Sequence, residues 1–315
     1  FMRRCLQLAA NGLLTTKPNP MVGAVIVAAD GRIIGEGFTS PVGGPHAEVN
    51  AFASVRPTDE ALLPQATIYV SLEPCSHWGH TPPCCDLIIS KHVKRCVCGC
   101  VDPFAKVQGR GIQRMRDAGI EVTVGVLEAE CMAINRRFMT FNEQHRPYIL
   151  LKWAQTANGY IAQADRRPLH ISTPLTQMLS HKLRSENDAI LVGRGTLESD
   201  RPQLNVRQWT GSSPERIVLS HHADNIPEGF TWCQSIDAVI SHLCEEQRQS
   251  LIVEGGAHTL AAFLERGLWD ELRVETAPFT ICGGIAAPDI PDDAVYLRTE
   301  QYDDNIIRWF GKKRH

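Results

Sequence analysis

The chain has 315 residues and a mass of 35.0 kDa, which at about 150 residues per domain indicates two domains. Hydrophobic residues make up 43% and charged residues 21% of the chain, a composition that excludes a disordered protein. The formal net charge of −3 argues against a dedicated nucleic-acid binder, which usually carries a basic surplus, and no apolar run reaches the ~18 residues that suggest a membrane span.

Strands and helices alternate through the first half of the sequence, which is typical of an α/β domain. Gly12 ends a short N-terminal helix, and Asp30-Gly31 between two apolar runs predicts a β-hairpin. We expect strands at residues 22–28, 32–38, 67–72, 94–100 and 120–126, and helices at residues 2–11, 46–55, 84–92, 111–118 and 127–142.

A polar stretch that ends in proline, Gln144-His145-Arg146-Pro147, precedes a new apolar strand. We place the domain boundary there, with one domain at residues 1–143 and the other at residues 146–315. We expect further strands at residues 148–153, 189–193, 216–219, 250–253, 271–276 and 305–310, and helices at residues 175–185, 236–246 and 257–266.

Cysteine is frequent, with 11 residues in the chain. An odd number in a long chain favours reduced thiols in the cytosol over a disulfide framework, so we expect a cytoplasmic protein. Cys96, Cys98 and Cys100 alternate along one predicted strand and share a face. We interpret them as small buried side chains of a sheet rather than as a metal cluster.

Other cysteines form a pattern that is typical of zinc binding. His46-Ala47-Glu48 precedes Glu73-Pro74-Cys75 and then Cys84, which together offer one imidazole and two thiolates. Three protein ligands leave the fourth position for water, whose pKa zinc lowers to about 7, and this indicates a catalytic site. Cys85 is a rival ligand beside Cys84: one of the two is expected to point at the metal, and the sequence does not fix which.

Glu48 lies two residues from a predicted ligand, where it can move protons without binding the metal. Because residues two apart point in different directions on a regular helix, His46 and Glu48 must open the helix, and the entry Gly43-Gly44-Pro45 places them there. The arrangement H-x-E … P-C … C is that of zinc-dependent nucleobase deaminases. Here the two cysteines lie further apart than in the common P-C-x-x-C form.

The residues from Glu73 read E-P-C-S-H-W-G-H-T-P-P-C-C. Together with Pro18-Asn19-Pro20-Met21-Val22-Gly23, Pro45-His46-Ala47-Glu48-Val49 and Gly109-Arg110-Gly111, they closely resemble the bifunctional deaminase–reductase family of riboflavin biosynthesis. The resemblance implies a cytidine-deaminase-like α/β/α domain followed by a dihydrofolate-reductase-like α/β domain. It also implies Zn²⁺ and NADPH as cofactors, a phosphoribosyl pyrimidine as the small-molecule substrate, and a homo-oligomer, expected to be a dimer.

In the deaminase half, the resemblance implies attack by zinc-bound hydroxide on the ring carbon that bears the exocyclic amine. His46, Cys75 and Cys84 would hold the zinc, and Glu48 would move protons between the water, the ring nitrogen and the leaving ammonia. The residues expected to contact the deaminase substrate are Asn19, His77, His80 and Asp102.

In the second half, an apolar strand ends in Gly255-Gly256 before a predicted helix, a suitable cradle for phosphate. With Gly193-Arg194-Gly195-Thr196 and residues 200–207, it resembles the reductase half of the same family, in which hydride opens the ribose to a ribityl chain. The residues expected at the cofactor are Ala154, His170, Thr196, Asp200, Gly256, Ala257, His258, Thr259 and Leu260. Those expected at the reductase substrate are Pro168, Arg184, Leu204, Arg207 and Glu254.

Three other functions compete with this interpretation. One is an active deaminase with an impaired reductase, because His170 and Pro168 stand where the family usually carries Trp and Ser. Another is a nucleic-acid base deaminase, which 32 basic against 35 acidic residues and 7% aromatics disfavour. The last is a non-catalytic zinc protein, in which Glu48 would have no role. We therefore expect a metabolic enzyme with no nucleic-acid partner and no membrane association.

Overall fold

The computed structural model describes residues 1–78, 82–104, 108–165 and 167–313. The chain divides into two compact units, Phe1–His145 and Arg146–His315. Among the described residues, no helix is long and apolar enough to cross a lipid bilayer.

The first unit is an α/β structure. Its described strands are β1 (Gly23–Val27), β2 (Ile33–Phe38), β3 (Thr67–Leu72), β4 (Arg95–Cys100) and β5 (Glu121–Val124). Its described helices are α1 (Met2–Ala9), α2 (Ala47–Ala53), α3 (Cys84–Ser90), α4 (Arg110–Asp117), α5 (Glu128–Ile134) and α6 (Arg136–Gln144), with 3-10 helices at Ala10–Gly12 and Pro57–Gln65.

The strands of the first unit form one sheet in the order β2-β1-β3-β4-β5. The predicted hairpin is confirmed, because β1 and β2 are antiparallel neighbours and Gly31 takes the positive φ of 87° that its turn needs. In contrast, β3, β4 and β5 run parallel. The loops that follow β3 and β4 therefore leave the same edge of the sheet, where α/β proteins place their ligand sites.

Two glycines let α2 lie close against the sheet. A Cβ atom at Gly37 would overlap the carbonyl oxygen of Ala47, and one at Gly35 would overlap that of Ala51. These glycines thus bring the start of α2 to a fixed position on the sheet.

Strand β4, further along the same sheet, carries three thiols. Cys96, Cys98 and Cys100 are all buried, as the sequence predicted.

The prediction of a single long helix at residues 127–142 is wrong. Two helices, α5 and α6, meet at Asn135, whose φ of −103° and ψ of 20° leave the helical region. The Asn135 side chain binds the backbone of Met21 on both sides: Nδ2 donates to its carbonyl and Oδ1 accepts from its N–H, each at 2.8 Å. This tertiary contact outweighs the local helical pattern.

The second unit is also α/β. Its described strands are β6 (Tyr148–Gln155), β7 (Tyr160–Gln163), β8 (Ala189–Gly193), β9 (Glu215–Leu219), β10 (Phe230–Cys233), β11 (Ser250–Val253), β12 (Glu271–Thr276), β13 (Gly284–Ala286), β14 (Ala294–Tyr302) and β15 (Asn305–Lys312). Its described helices are α7 (Pro174–Ser185), α8 (Arg194–Asp200), α9 (Ile236–Glu245) and α10 (Ala257–Glu265).

The large sheet of the second unit has the order β10-β9-β8-β11-β6-β12-β15-β14. Its strands run parallel from β10 to β12, and β15 and β14 then add to the edge as an antiparallel hairpin. A separate ribbon pairs β13 with β7. The carboxyl ends of β8, β11 and β6 lie side by side, so the residues that follow them face one region. Strands β7, β10, β13 and β14 and helix α8 were not predicted from the sequence.

Candidate functional site

The predicted zinc ligands converge in the first unit. His46 is the N-cap residue of α2, Cys75 follows β3, and Cys84 is the first residue of α3. Their ligand atoms all lie within 4.8 Å of one another, with His46 Nδ1 at 3.6 Å from Cys75 Sγ and 3.3 Å from Cys84 Sγ. One imidazole nitrogen and two sulfurs at this spacing are a donor set that fits zinc.

The structure also separates the two adjacent cysteines. The backbone N–H of Cys84 donates to Cys75 Sγ at 3.2 Å, and its own thiol faces His46. The Cys85 thiol instead lies 3.6 Å from the Asp86 carboxylate. Successive helical residues point about 100° apart, so the phase of α3 directs Cys84 toward the other two donors and Cys85 away from them.

Glu48 lies in the first turn of α2 and is 3% exposed. Burial, together with the nearby Cys75 charge, raises the pKa of the Glu48 carboxyl to about 7. Hydrogen bonds from Cys84 and His46 lower the pKa of the Cys75 thiol to about 4, against the effect of its burial. The site therefore combines a stable thiolate with a carboxyl that can accept and release a proton near neutral pH.

Glu73 is a buried acid whose role was not predicted from the sequence. Its Oε2 atom accepts the backbone N–H groups of Asp102 at 3.3 Å and Gly109 at 2.8 Å. Its Oε1 atom accepts those of Gly111 at 3.0 Å and Ile112 at 3.3 Å. Glu73 thereby ties the loop that carries Cys75 to the loop after β4 and to the start of α4. An acid directly before Pro-Cys was the signal for it.

The residues predicted at the deaminase substrate have different surroundings. Asn19 is exposed in the turn before β1. His77 is half-buried, with its ring centroid 5.8 Å from that of Phe104. Asp102 accepts the Phe104 N–H at 2.8 Å, and burial raises the pKa of its carboxyl to about 6. His80 lies outside the described residues.

The second unit contains a cavity of about 1130 Å³ beside the carboxyl ends of β8, β11 and β6. Most of the residues predicted at the cofactor line it: Ala154, His170, Thr196, Asp200, Gly256, Ala257, His258 and Thr259. Leu260 does not, because it is fully buried in the hydrophobic core.

Glycines bring two strand-to-helix turns together at this cavity. A Cβ atom at Gly193 or at Gly255 would overlap the side chain of Thr259, so the starts of α8 and α10 lie close to one another. Gly256 is the N-cap of α10, and a Cβ there would come within 3.3 Å of Thr196 Oγ1. The N–H groups at the start of α10 are thus open to an anionic group of a dinucleotide.

Glu254 follows β11 and carries two ion pairs in the cavity wall. Arg184 Nη2 lies 2.8 Å from its Oε2 atom, and Lys152 Nζ lies 3.6 Å from its Oε1 atom. Burial alone would raise the pKa of Glu254, but the charges of Lys152 and Arg184 lower it to about 2. Glu254 is therefore a permanent anion at neutral pH.

The other residues predicted at the reductase substrate are spread around Glu254 and its two cationic partners. Pro168 lines the cavity with Glu254. Leu204 is buried in the core, with a positive φ of 53°, and Arg207 is exposed. Arg184 links them to Glu254, since its Nη1 atom donates to the carbonyl of Asn205 at 3.4 Å.

Comparison with known proteins identifies both units. Residues 1–100 match the family described as the cytidine and deoxycytidylate deaminase zinc-binding region, and residues 147–302 match the RibD C-terminal domain. The riboflavin biosynthesis protein RibD of Aquifex aeolicus is 36% identical over 327 positions, which cover 92% of this chain and 89% of that protein.

Solved structures agree. RibD of Acinetobacter baumannii superposes with a TM-score of 0.89 at 30% identity, over 99% of this chain and 98% of the other. A diaminohydroxyphosphoribosylaminopyrimidine deaminase/5-amino-6-(5-phosphoribosylamino)uracil reductase from Thermotoga maritima gives the same TM-score of 0.89 and the same coverage at 33% identity.

These matches confirm the predicted α/β fold class, the bifunctional deaminase and reductase activity in riboflavin biosynthesis, and a zinc-binding site in the first unit. This chain therefore belongs to the RibD family of riboflavin biosynthesis proteins.

Proposed function

We propose that residues 1–143 deaminate 2,5-diamino-6-(5-phosphoribosylamino)pyrimidin-4-one and that residues 146–315 then reduce its ribosyl group to a ribityl group. The observation that carries the proposal is the convergence of His46, Cys75 and Cys84 within 4.8 Å. Glu48 is buried beside them in the first turn of α2, the helix that begins after His46. The activity named for the Thermotoga maritima relative supports this choice of substrate.

In the deaminase unit, His46, Cys75 and Cys84 hold the zinc, which when bound supplies a nucleophile from water at neutral pH. Glu48 takes a proton from the attacking water and delivers it to the ring nitrogen. It then carries the second proton of that water to the amine, which leaves as ammonia, so that the ring carbon loses a C–N bond and the new C–O bond becomes a carbonyl. A buried carboxyl with a pKa of about 7 suits both directions of transfer.

Asn19, His77 and Asp102 contact the deaminase substrate in this proposal. Asp102 is the best supported, because Glu73 fixes its backbone and burial leaves its carboxyl with few competing water molecules. His80 stays a prediction from the sequence.

In the reductase unit, the cavity beside α10 holds NADPH, which when bound supplies a hydride. Thr196, Asp200 and the turn at Gly256 contact its polar groups, with Ala154, His170, Ala257, His258 and Thr259 around it. Leu260 supports the α10 helix from the core. Glu254, Arg184, Pro168, Leu204 and Arg207 surround the phosphoribosyl part of the substrate.

The test is to supply the purified protein with the diaminopyrimidinone phosphate, zinc and NADPH. Ammonia release and NADPH absorbance are followed separately. We expect both, and ammonia release is expected to continue without NADPH. Ammonia release with no NADPH oxidation would instead support the alternative of an impaired reductase, and no ammonia release at all would contradict the deaminase assignment.

Self-association as a homodimer is part of the proposal. Strand β14 is the edge of the large sheet, and three consecutive apolar residues on it, Val295, Tyr296 and Leu297, are 46%, 56% and 49% exposed. An apolar strand edge of this kind favours pairing with another chain. Sedimentation equilibrium of the wild type and of Leu297→Lys tests it, since the lysine is expected to shift the protein toward the monomer.

We also propose a cytoplasmic location. Cys75 and Cys84 must remain reduced to bind zinc, and their Sγ atoms lie within 4.8 Å of one another, where an oxidant would join them. A reducing compartment preserves them. Fractionation of cells that express the protein, with zinc analysis of the recovered chain, is the check.

A further inference from the structure

A row of charged residues crosses the large sheet beside the cavity. Arg273 on β12 pairs with Lys152 on β6, and Val253 on β11 pairs with Leu151 on β6. Glu254, the residue after Val253, is therefore the neighbour of Lys152 on the other side. Paired residues of neighbouring strands point to the same face of a sheet, so Lys152 lies between a carboxylate and a guanidinium.

Arg273 is buried without the contacts that usually accompany a buried arginine. It is 2% exposed, and within the described part of the chain its Nη1 and Nη2 atoms have no hydrogen-bond partner. Its nearest acid, Glu275, lies 3.7 Å from Nη1, and its guanidinium carbon lies 5.8 Å from the Trp309 ring centroid. Burial of a charge without hydrogen bonds destabilises a fold.

The Glu275 carboxylate is already engaged by other groups. It accepts Thr176 Oγ1 at 2.6 Å, Asn305 Nδ2 at 2.7 Å and Ser172 Oγ at 3.0 Å. These bonds satisfy Glu275 without Arg273. Hydrogen bonding therefore does not account for an arginine at this position, and this points to its charge acting on the neighbouring Lys152.

We propose that Arg273 is a positioning residue for the reductase reaction: its guanidinium repels the Lys152 ammonium toward Glu254 and so holds it at the cavity wall. This inference rests on the proposed function, which places Glu254 at the reductase substrate. Lys152 and Glu254 both line the cavity. Without the charge of Arg273, the flexible Lys152 side chain is free to turn along the sheet toward β12.

The charges around the row give the direction of a pH effect. Burial lowers the pKa of Lys152, Glu254 raises it, and Arg273 and Arg184 lower it further. Removal of the Arg273 charge therefore raises the pKa of Lys152. The limb of the reductase pH–rate profile that reflects the ionisation of Lys152 then moves to higher pH. The charged and titratable groups that act on Arg273 or Lys152 are Glu254, Arg184 on α7, Glu275 on β12, and Glu300 and Tyr302 on β14.

The experiment measures NADPH oxidation with already deaminated substrate, across pH, for Arg273→Met. We expect kcat to fall by about tenfold or more, because small misplacements at a reacting centre are costly. We also expect the pH limb to move upward and thermal stability to be unchanged or higher. Arg273→Lys keeps a charge and is expected to recover most of kcat and the original limb.

Arg298→Met is the matched control, because Arg298 lies 4.2 Å from the same Trp309 ring but is 47% exposed. Its reductase kinetics are expected to match the wild type, and ammonia release serves as an internal control in every variant. An unchanged kcat and pH limb in folded Arg273→Met would overturn the inference. If that variant does not fold, Arg273→Gln decides in the same way: a raised limb supports the inference and an unchanged limb overturns it.

Glu254→Gln separates this inference from the proposed function. Wild-type reduction in Glu254→Gln contradicts the proposed substrate site itself. Loss of reduction in Glu254→Gln, together with no effect in Arg273→Met, contradicts only the role of Arg273.

Discussion

The two sites of this chain are built on different scales. In the first unit, His46, Cys75 and Cys84 bring three donor atoms within 4.8 Å, and each stands at or next to the start of a helix or the end of a strand. In the second unit, a cavity of about 1130 Å³ is lined by residues from Lys152 to Ile285. A metal needs a few close donors, whereas a dinucleotide needs a long wall that many segments share.

The two sites also treat a buried carboxylate in opposite ways. Burial raises the pKa of Glu48 to about 7, whereas Lys152 and Arg184 lower the pKa of Glu254, whose side chain is 10% exposed, to about 2. The difference lies in the neighbours: the Cys75 charge lies near Glu48, whereas cations surround Glu254. Glu48 is thereby suited to move protons, and Glu254 to hold a fixed negative charge.

The largest expected effect breaks the compact site. Cys84→Ser removes one of three donors, so zinc content is expected to fall from about one per chain to a small fraction, and ammonia release with it. Cys85→Ser is the matched control on the next residue and is expected to keep zinc, because its thiol faces Asp86. Metal analysis of both variants decides, and zinc loss in Cys85→Ser alone would reverse the assignment.

The next effect tests whether the sites are independent. Glu48→Gln keeps the fold and the zinc but loses proton transfer, so ammonia release is expected to fall by about 10²–10⁴-fold or more. Reduction of already deaminated substrate is expected to stay near the wild-type rate, because the described residues that line the cavity all belong to the second unit. A tenfold loss of reduction in folded, zinc-loaded Glu48→Gln would contradict two independent sites.

A smaller effect is expected in the wall of the cavity. Gly256 has a φ of −64°, which any residue adopts, so Gly256→Val changes the surface of the turn without backbone strain. Its side chain approaches Thr196 and covers the α10 N-terminus, and KM for NADPH is expected to rise about 10–100-fold with ammonia release unchanged. Gly283→Val, where a Cβ meets open space, is the control. Equal KM values in both variants would exclude phosphate binding at this turn.

The same contrast explains how far the sequence alone leads. The zinc ligands belong to short motifs next to predicted helices and strands, so their convergence was predictable. The choice between Cys84 and Cys85 was not, because it depends on the phase of α3. The role of Glu73 was missed because its four partners are backbone N–H groups of distant segments, so that an acid before Pro-Cys was its only signal.

The errors in the elements have similar causes. The break at Asn135 comes from its contact with Met21, far away in sequence. Helix α8 contains Gly195 in its first turn, which lowers helix propensity, so its residues resembled a loop. Strand β14 was missed because the turn to β15, at Asp303-Asp304, contains no glycine, although Asp303 takes a positive φ of 53°.

The smallest effect concerns stability and sharpens the contrast between the two carboxylates. The folded-state pKa of Glu254, about 2, lies below the ordinary value of about 4.3. Its ionised form therefore stabilises the fold fully above pH ~4.3, and this contribution is lost as the pH falls toward about 2. A shift of this size corresponds to about 3 kcal/mol. The free energy of unfolding of Glu254→Gln is therefore expected to fall furthest below that of the wild type above pH ~5. At lower pH the two values are expected to approach each other.

Urea unfolding followed by tryptophan fluorescence measures this difference, because the signal comes mostly from the second unit. The tryptophans of that unit are Trp153, Trp209, Trp232, Trp269 and Trp309. Glu228→Gln is the control, since Glu228 is exposed in the same unit and its substitution is expected to give a difference that does not vary with pH. A constant difference for Glu254→Gln between pH 5 and pH 3 would show that Lys152 and Arg184 do not hold Glu254 ionised, and the opposed roles of the two carboxylates would then fail.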